Sequence, residues 1–366
     1  MNFFQHISRH TLLRAGLLFS FVLLAGQGCL SVTDKPPETT GPGGMFVSLD
    51  KGDSWQPISR LPQPDGIKNI SSASVYRLIE DPQDPRALYW ASREAGMFYS
   101  YDDGKTWQQP EGPLAQGFVY NISVHPADKC TIYATNGILV YRSTDCNRSW
   151  EEVYRESRAD RIVSLTFHQF DPYTIYMAKN SGDVLKSEDG GGSWQVLRRF
   201  GTRLQGIYPD PHQERVLYVV SREQGIYRTT NGGESWALIR TQFDKFKNAL
   251  EFRRFVFHPT KTNVLYWVST YGILVSEDAG ETWRAMQLIT PPGAARIYGF
   301  DVSAQNDKEM YYTATVNNRS VLYKSEDGGD TWITRKLPSG QIPTALRVHP
   351  ERGELVYIGF TIPPKE

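Results

Sequence analysis

Six carboxylates recur along this 366-residue chain at near-regular spacing: Asp50, Asp102, Asp145, Asp189, Asp278 and Asp327, with Asn231 filling a seventh place. Carboxylates in pairs can serve as general acid and base, but such a pair needs two unlike environments. Each of these lies in the same eight-residue unit, from "SLDKGDSW" (48–55) to "SEDGGDTW" (325–332). One environment repeated seven times does not separate an acid from a base. The residues read as turn anchors, accepting bonds from backbone N–H groups two or so positions on.

Other reactive types receive the same scrutiny. His125, His168, His258 and His349 share one repeat position. Four histidines suggest a metal, but equivalent positions sit on separate units, so they read as turn residues. No H-E-x-x-H, paired C-x-x-C or calcium-loop spacing occurs, and no metal or cofactor is expected. "DGKT" (103–106) imitates a phosphate loop, yet Tyr99 stands where its first glycine belongs. The informative residues are those that break the repeat. Arg77, Arg161, Arg203, Arg253, Arg254 and Arg296, with Tyr76, Tyr120 and Tyr298, cluster where each repeat begins. Guanidinium groups flanked by aromatic rings suit carboxylates, phosphates or an acidic protein segment.

Positioning these residues requires regular elements. Seven of the nine tryptophans end a unit, at steps of 52, 43, 44, 42, 47 and 49 residues. Upstream of each unit is a short strand such as "GILVYRS". Before it runs a strand centred on Tyr, and before that one ending in His-Pro or Asp-Pro. One repeat is therefore four strands, A to D, with the unit as the C–D turn. A period of about 40–50 residues with four strands is a β-propeller blade. The chain opens with C and D only (45–58) and closes with A and B only (345–360). Joined, they complete a seventh blade and remove the exposed sheet edge. The expected fold is all-β: a seven-bladed β-propeller of four-stranded blades.

The pattern S-x-D-x-G-x-T-W resembles the Asp-box, or BNR, repeat over residues 45–360. The resemblance extends to sortilin/Vps10 ectodomains, xyloglucanase-type hydrolases and assembly factors of the Ycf48 kind. It implies a fold more than a function, because the motif is structural. It also implies that D–A and B–C loops share one face, with the Asp-box turns on the other. The arginines and tyrosines named above then ring one face.

The chain's ends add a location. "MNFFQHISRHTLLR" is basic, "AGLLFSFVLLAG" (15–26) is a short apolar run, and small residues follow. Twelve residues do not span a bilayer, so 1–28 reads as a secretory signal of lipoprotein type. Cys29 is the expected lipidated residue, residues 29–44 a Pro/Gly/Thr-rich tether, and 45–366 the propeller. The expectation is an exported protein, anchored to a bacterial membrane through its lipid and facing periplasm or exterior. With Cys29 as anchor, Cys130 and Cys146 remain, and an oxidising compartment makes them a disulfide. Cys130 opens strand B and Cys146 follows strand C of one hairpin. There Asn147 replaces the usual glycine.

Charge balances at 40 Lys and Arg against 40 Asp and Glu, giving no signal for nucleic acid. Two function classes stay open. A non-catalytic scaffold would bind a protein, peptide or glycan on the Arg-rich face. A glycoside hydrolase, sialidase-like or xyloglucanase-like, is the alternative. Sialidases resemble this chain in their boxes but have six blades, and their Arg-Ile-Pro stretch precedes the first box. Here "RLP" (60–62) follows it, and no nucleophilic Tyr with a Glu partner stands out. Xyloglucanase-type catalysis lies between two propellers. The residues favour the scaffold.

Overall fold

The computed structural model describes residues 39–362, apart from Arg158 and Thr241. The segment expected to be a secretory signal, Cys29 and the expected tether up to residue 38 lie outside the described residues. Four-stranded antiparallel sheets recur around a ring. Blade 3 shows the pattern: A is Asn121–His125, B Asp128–Thr135, C Leu139–Ser143 and D Glu151–Arg155. Blades 4 to 7 repeat it. In blade 2, strands Arg77–Glu80, Leu88–Ala91 and Met97–Ser100 form the sheet, and D shrinks to a Tyr99–Gln108 bridge. Blade 1 pairs Gly44–Ser48 and Gln56–Pro57 with Ile342–Val348 and Val356–Thr361. Its closing ladder runs from Gly44↔Phe360 to Ser48↔Val356.

Burial explains the strand compositions. B strands such as Leu217–Ser221 and Leu265–Ser269 are buried throughout, because both faces meet neighbouring blades. They therefore read as continuous apolar runs. D strands such as Gln195–Arg199 lie outermost and are largely exposed, so charge there discourages edge pairing. The core is divided. Seven apolar clusters each combine two adjacent blades, one cluster per junction around the ring. Trp107, for example, packs with Ile58 at the end of the preceding blade's outer strand and with Leu61 just beyond it, and donates its indole N–H to the Ile58 carbonyl at 2.6 Å.

The repeated turn differs in detail from the sequence expectation. In the first unit, Ser48 Oγ accepts the N–H groups of Asp50 and Gly52, at 3.2 and 2.7 Å. Asp50 instead takes the N–H of Ser54, four positions on, at 2.8 Å, together with the Ser54 hydroxyl. So the first residue holds the near N–H groups and the Asp the far ones. Asn231 does the same in blade 5 through Ser235 N–H at 3.0 Å. Fourth and fifth positions both take left-handed backbone, as at Ala279 (φ 59°) and Gly280 (φ 94°).

Three features were not anticipated. Residues Arg60–Gln63 and Gly66–Asn69 form an extra hairpin before blade 2, carrying the "RLP" stretch. Folded contacts start before Met45: the carbonyls of Thr40, Gly41 and Pro42 accept bonds from Gly340, Gln341 and Ser339. Finally, β-bulges interrupt strand A near its start in blades 1, 4, 5, 6 and 7. A bulge adds a residue on one strand and re-aims its side chain.

Candidate functional site: a cationic, aromatic face and the channel beneath it

Strands A line the ring's interior, and their starts meet the D–A and B–C loops at one end. There the structure builds a ladder of cations and rings. Arg77 lies 5.4 Å from the centroid of Tyr76, and Arg93 lies over both Tyr76 (4.9 Å) and Phe118 (5.5 Å). Phe118 stacks on Tyr120 at 3.9 Å, and Arg161 caps Tyr120 at 5.9 Å. The ladder spans blades 2, 3 and 4. Across the ring, Arg253 lies 5.5 Å over Tyr298. Rings hold guanidiniums in place while leaving their in-plane N–H edges available.

Of the residues singled out in the sequence, Tyr76, Arg77, Tyr120 and Arg161 join one ladder, and Arg253 and Tyr298 form a separate pair. Arg203 and Arg296 are exposed at the starts of their strands A without joining either group. Arg254 departs from the expected surface. Its Nε donates to the Tyr298 carbonyl at 3.0 Å and its Nη2 to the Thr344 carbonyl at 3.1 Å. Arg253 is the bulge residue, so these neighbours diverge: one reaches the face, the other turns into the channel. Burial pulls the Arg254 pKa down to about 10. Sequence reasoning missed Arg93 and Phe118. Arg93 sits in a B–C loop, which the strand-A criterion did not cover, and Phe118 precedes Tyr120 by two residues in one D–A segment.

Deeper in the channel, Arg347 of blade 1 bonds Glu80 of blade 2 at 3.1 Å and Asp301 of blade 7 at 3.4 Å. Asp301 also accepts the Val348 N–H at 2.8 Å. Burial pushes Glu80 up to about 7, against the pull of Arg347, and raises Asp301 too. These two carboxyl groups share one guanidinium. The Asp-box carboxylates behave oppositely: hydrogen bonds led by the Ser54 hydroxyl hold Asp50 down near 2. A carboxylate pinned in its ionised form does not donate protons near neutrality.

The repeat-position histidines serve turns. Nδ1 of His258 accepts the N–H groups of Thr260 and Lys261 at 3.2 and 3.0 Å, and Nδ1 of His349 those of Glu351 and Arg352 at 3.1 Å each. In blades 2 and 5 an aspartate fills this role, as Asp81 and Asp210.

The hairpin of blade 3 carries the remaining candidate pair. Cys130 and Cys146 are joined, with Cα atoms 4.0 Å apart, and the Cys146 N–H bonds the Cys130 carbonyl at 3.2 Å.

Comparison with known proteins fits this architecture. Residues 182–287 match a family model described as sortilin, neurotensin receptor 3. A xyloglucanase of Paenibacillus sp. is 24% identical over 264 residues, covering 65% of this chain and 23% of that protein. The photosystem II assembly protein Ycf48 of Thermosynechococcus vestitus is 23% identical, covering 43% of this chain and 42% of that protein. A solved structure of YCF48 bound to D1 peptide superposes with a TM-score of 0.59 at 14% identity, covering 79% of this chain and 93% of that one. The matched segments thus span less than half the length of these curated relatives. The chain is a seven-bladed β-propeller similar to the sortilin-type, xyloglucanase and Ycf48 propellers.

Proposed function

We propose that this propeller is an exported, lipid-tethered binding module that holds a protein or peptide ligand on its D–A loop face. The cation–aromatic ladder from Arg77 to Arg161 carries this reading. It presents several fixed donors across three blades, a footprint suited to an extended chain. The Ycf48 structure with a bound D1 peptide supports peptide recognition by such a fold. The test is an array of immobilised ten-residue peptides probed with the protein. Wild type is expected to retain a subset of peptides. The triple variant Arg77→Glu, Arg93→Glu, Arg161→Glu is expected to lose them with an unchanged melting temperature. Equal retention by both proteins would refute the assignment.

A second reading, glycoside hydrolysis, has its own support in the xyloglucanase similarity and in Glu80, a carboxyl group raised to about 7. Release of reducing ends from xyloglucan, abolished in Glu80→Gln, would establish it in place of the first.

A further inference from the structure

Resting on the binding assignment above, we infer that the ligand is an acidic peptide segment, because the face withholds its own carboxylates from its arginines. Ten described arginines make ion pairs, and they belong to outer strands, Asp-box-side turns or the lower channel. Arg77, Arg93, Arg161 and Arg253 have no carboxylate within ion-pair distance among the described residues.

The cause is not a lack of acids nearby. Glu94 adjoins Arg93, yet it is taken up by the Ser74 N–H at 2.5 Å and the Ser74 hydroxyl at 2.6 Å. Asp160 adjoins Arg161, yet it accepts the N–H groups of Arg161 and Ser181 at 2.7 and 3.0 Å and the Ser181 hydroxyl. Glu251 lies two residues from Arg253, yet it accepts the Thr270 hydroxyl at 2.8 Å. Three times, a Ser or Thr hydroxyl holds the nearby acid in a hydrogen bond, and no ion pair to the neighbouring arginine forms.

The guanidiniums meanwhile lie on aromatic faces, which leaves most of their N–H edges open; among the described residues Arg253 alone of the four spends one, donating from Nη2 to the Thr270 hydroxyl at 3.4 Å. Guanidinium forks without an ion-pair partner match carboxylates in geometry and charge. The ligand's own acids then supply the missing partners. Several such contacts along one extended segment make binding steeply dependent on salt.

Full-length protein is titrated with an acetylated, amidated octapeptide of alternating Glu and Gly carrying a fluorophore, and with its Gln counterpart. The Glu peptide is expected to bind at least about tenfold tighter, with the preference shrinking as salt rises. Ser181→Ala removes the hydroxyl bond to Asp160 Oδ2 and opens that oxygen to Arg161, while both backbone N–H bonds to Oδ1 remain, so affinity should fall about threefold. Adding Asp160→Asn should restore it, which a purely structural role for Ser181 would not produce. Equal binding of Glu and Gln peptides, with array binding still lost in the triple arginine variant, overturns the acidic-ligand inference alone. Loss of neither peptide nor array binding in that variant overturns the face assignment itself. An unchanged affinity in Ser181→Ala refutes the withholding mechanism.

Discussion

The first hydroxyl of each eight-residue unit does as much as the carboxylate two positions later. Ser276 Oγ takes the Asp278 and Gly280 N–H groups at 3.4 and 2.8 Å, and Asp278 takes the Thr282 N–H at 2.9 Å. The fifth residue is constrained twice over. At Gly233, φ is +102° and an added Cβ would lie 2.8 Å from Leu197 of the preceding blade. Gly233→Ala should therefore cost roughly 2 kcal/mol in urea unfolding, combining left-handed strain with overpacking. The histidines set a pH dependence. Burial pulls the His258 pKa down to about 4, below its unfolded value near 6.5. The unfolded chain then binds the proton first, so His258 supports folding fully above about pH 6.5. That support fades as pH falls towards 4. His125 and His349 are shifted the same way, also by burial first. In His258→Asn, whose Oδ1 accepts the same N–H groups without titrating, the melting temperature should fall less between pH 7 and pH 5 than in wild type.

At the level of elements, hairpins and their turns fix the geometry of the face. The bulges at the starts of strands A separate Arg253 from Arg254 and decide which reaches solvent. The B–C hairpin of blade 3 carries the cysteine pair. Its box is the one in which both left-handed positions lack glycine, at Cys146 (φ 61°) and Asn147 (φ 68°). Asn147 is accommodated because its Nδ2 donates to the Tyr101 hydroxyl of blade 2 at 2.8 Å. A covalent link to Cys130 restrains the same turn. Reduction, or Cys146→Ser, should lower unfolding free energy by about 3 kcal/mol, the chain-entropy value for a loop of this length. Thiol labelling of oxidised, folded protein should find neither cysteine free; two free thiols would remove the basis for that loss.

For the whole molecule, stability is a ring property. Each apolar cluster needs two blades, so no blade completes a core alone. The closing blade contributes to two clusters, and its ladder is the closure. Ion pairs reinforce both flanking junctions: Lys51–Glu309 at 2.6 Å towards blade 7, Arg352 with Asp103 towards blade 2, and Arg347 towards both. Deleting residues after Pro343 removes strand B of blade 1 and most of A, exposes both clusters and leaves the Gly44–Ser48 strand paired only with the short Gln56–Pro57 strand. The truncated chain should lose its cooperative melting transition and gain dye-binding apolar surface. An unchanged transition would show that closure contributes little.

Blade count, closure and the turn motif were legible in the sequence, because each depends on contacts within one repeat or on simple repetition; the Arg60–Gln63 hairpin and the three-stranded sheet of blade 2 were not. The repeated short strands, the Trp spacing and the split final blade are local or additive signals. The ends of strands A were legible as a class for the same reason, which put Tyr76, Arg77, Tyr120, Arg161, Arg253 and Tyr298 among the candidates. Which of them touch was decided by tertiary structure. Arg93 joins the ladder from a different loop type, and Arg254 leaves the surface at a bulge that no residue pattern marked. Glu80, Asp301 and Arg347 come from three blades, separated by more than two hundred residues between the first and the other two. Their convergence follows from the ring bringing its first and last inner strands together around one channel, a consequence of closure that no single repeat encodes.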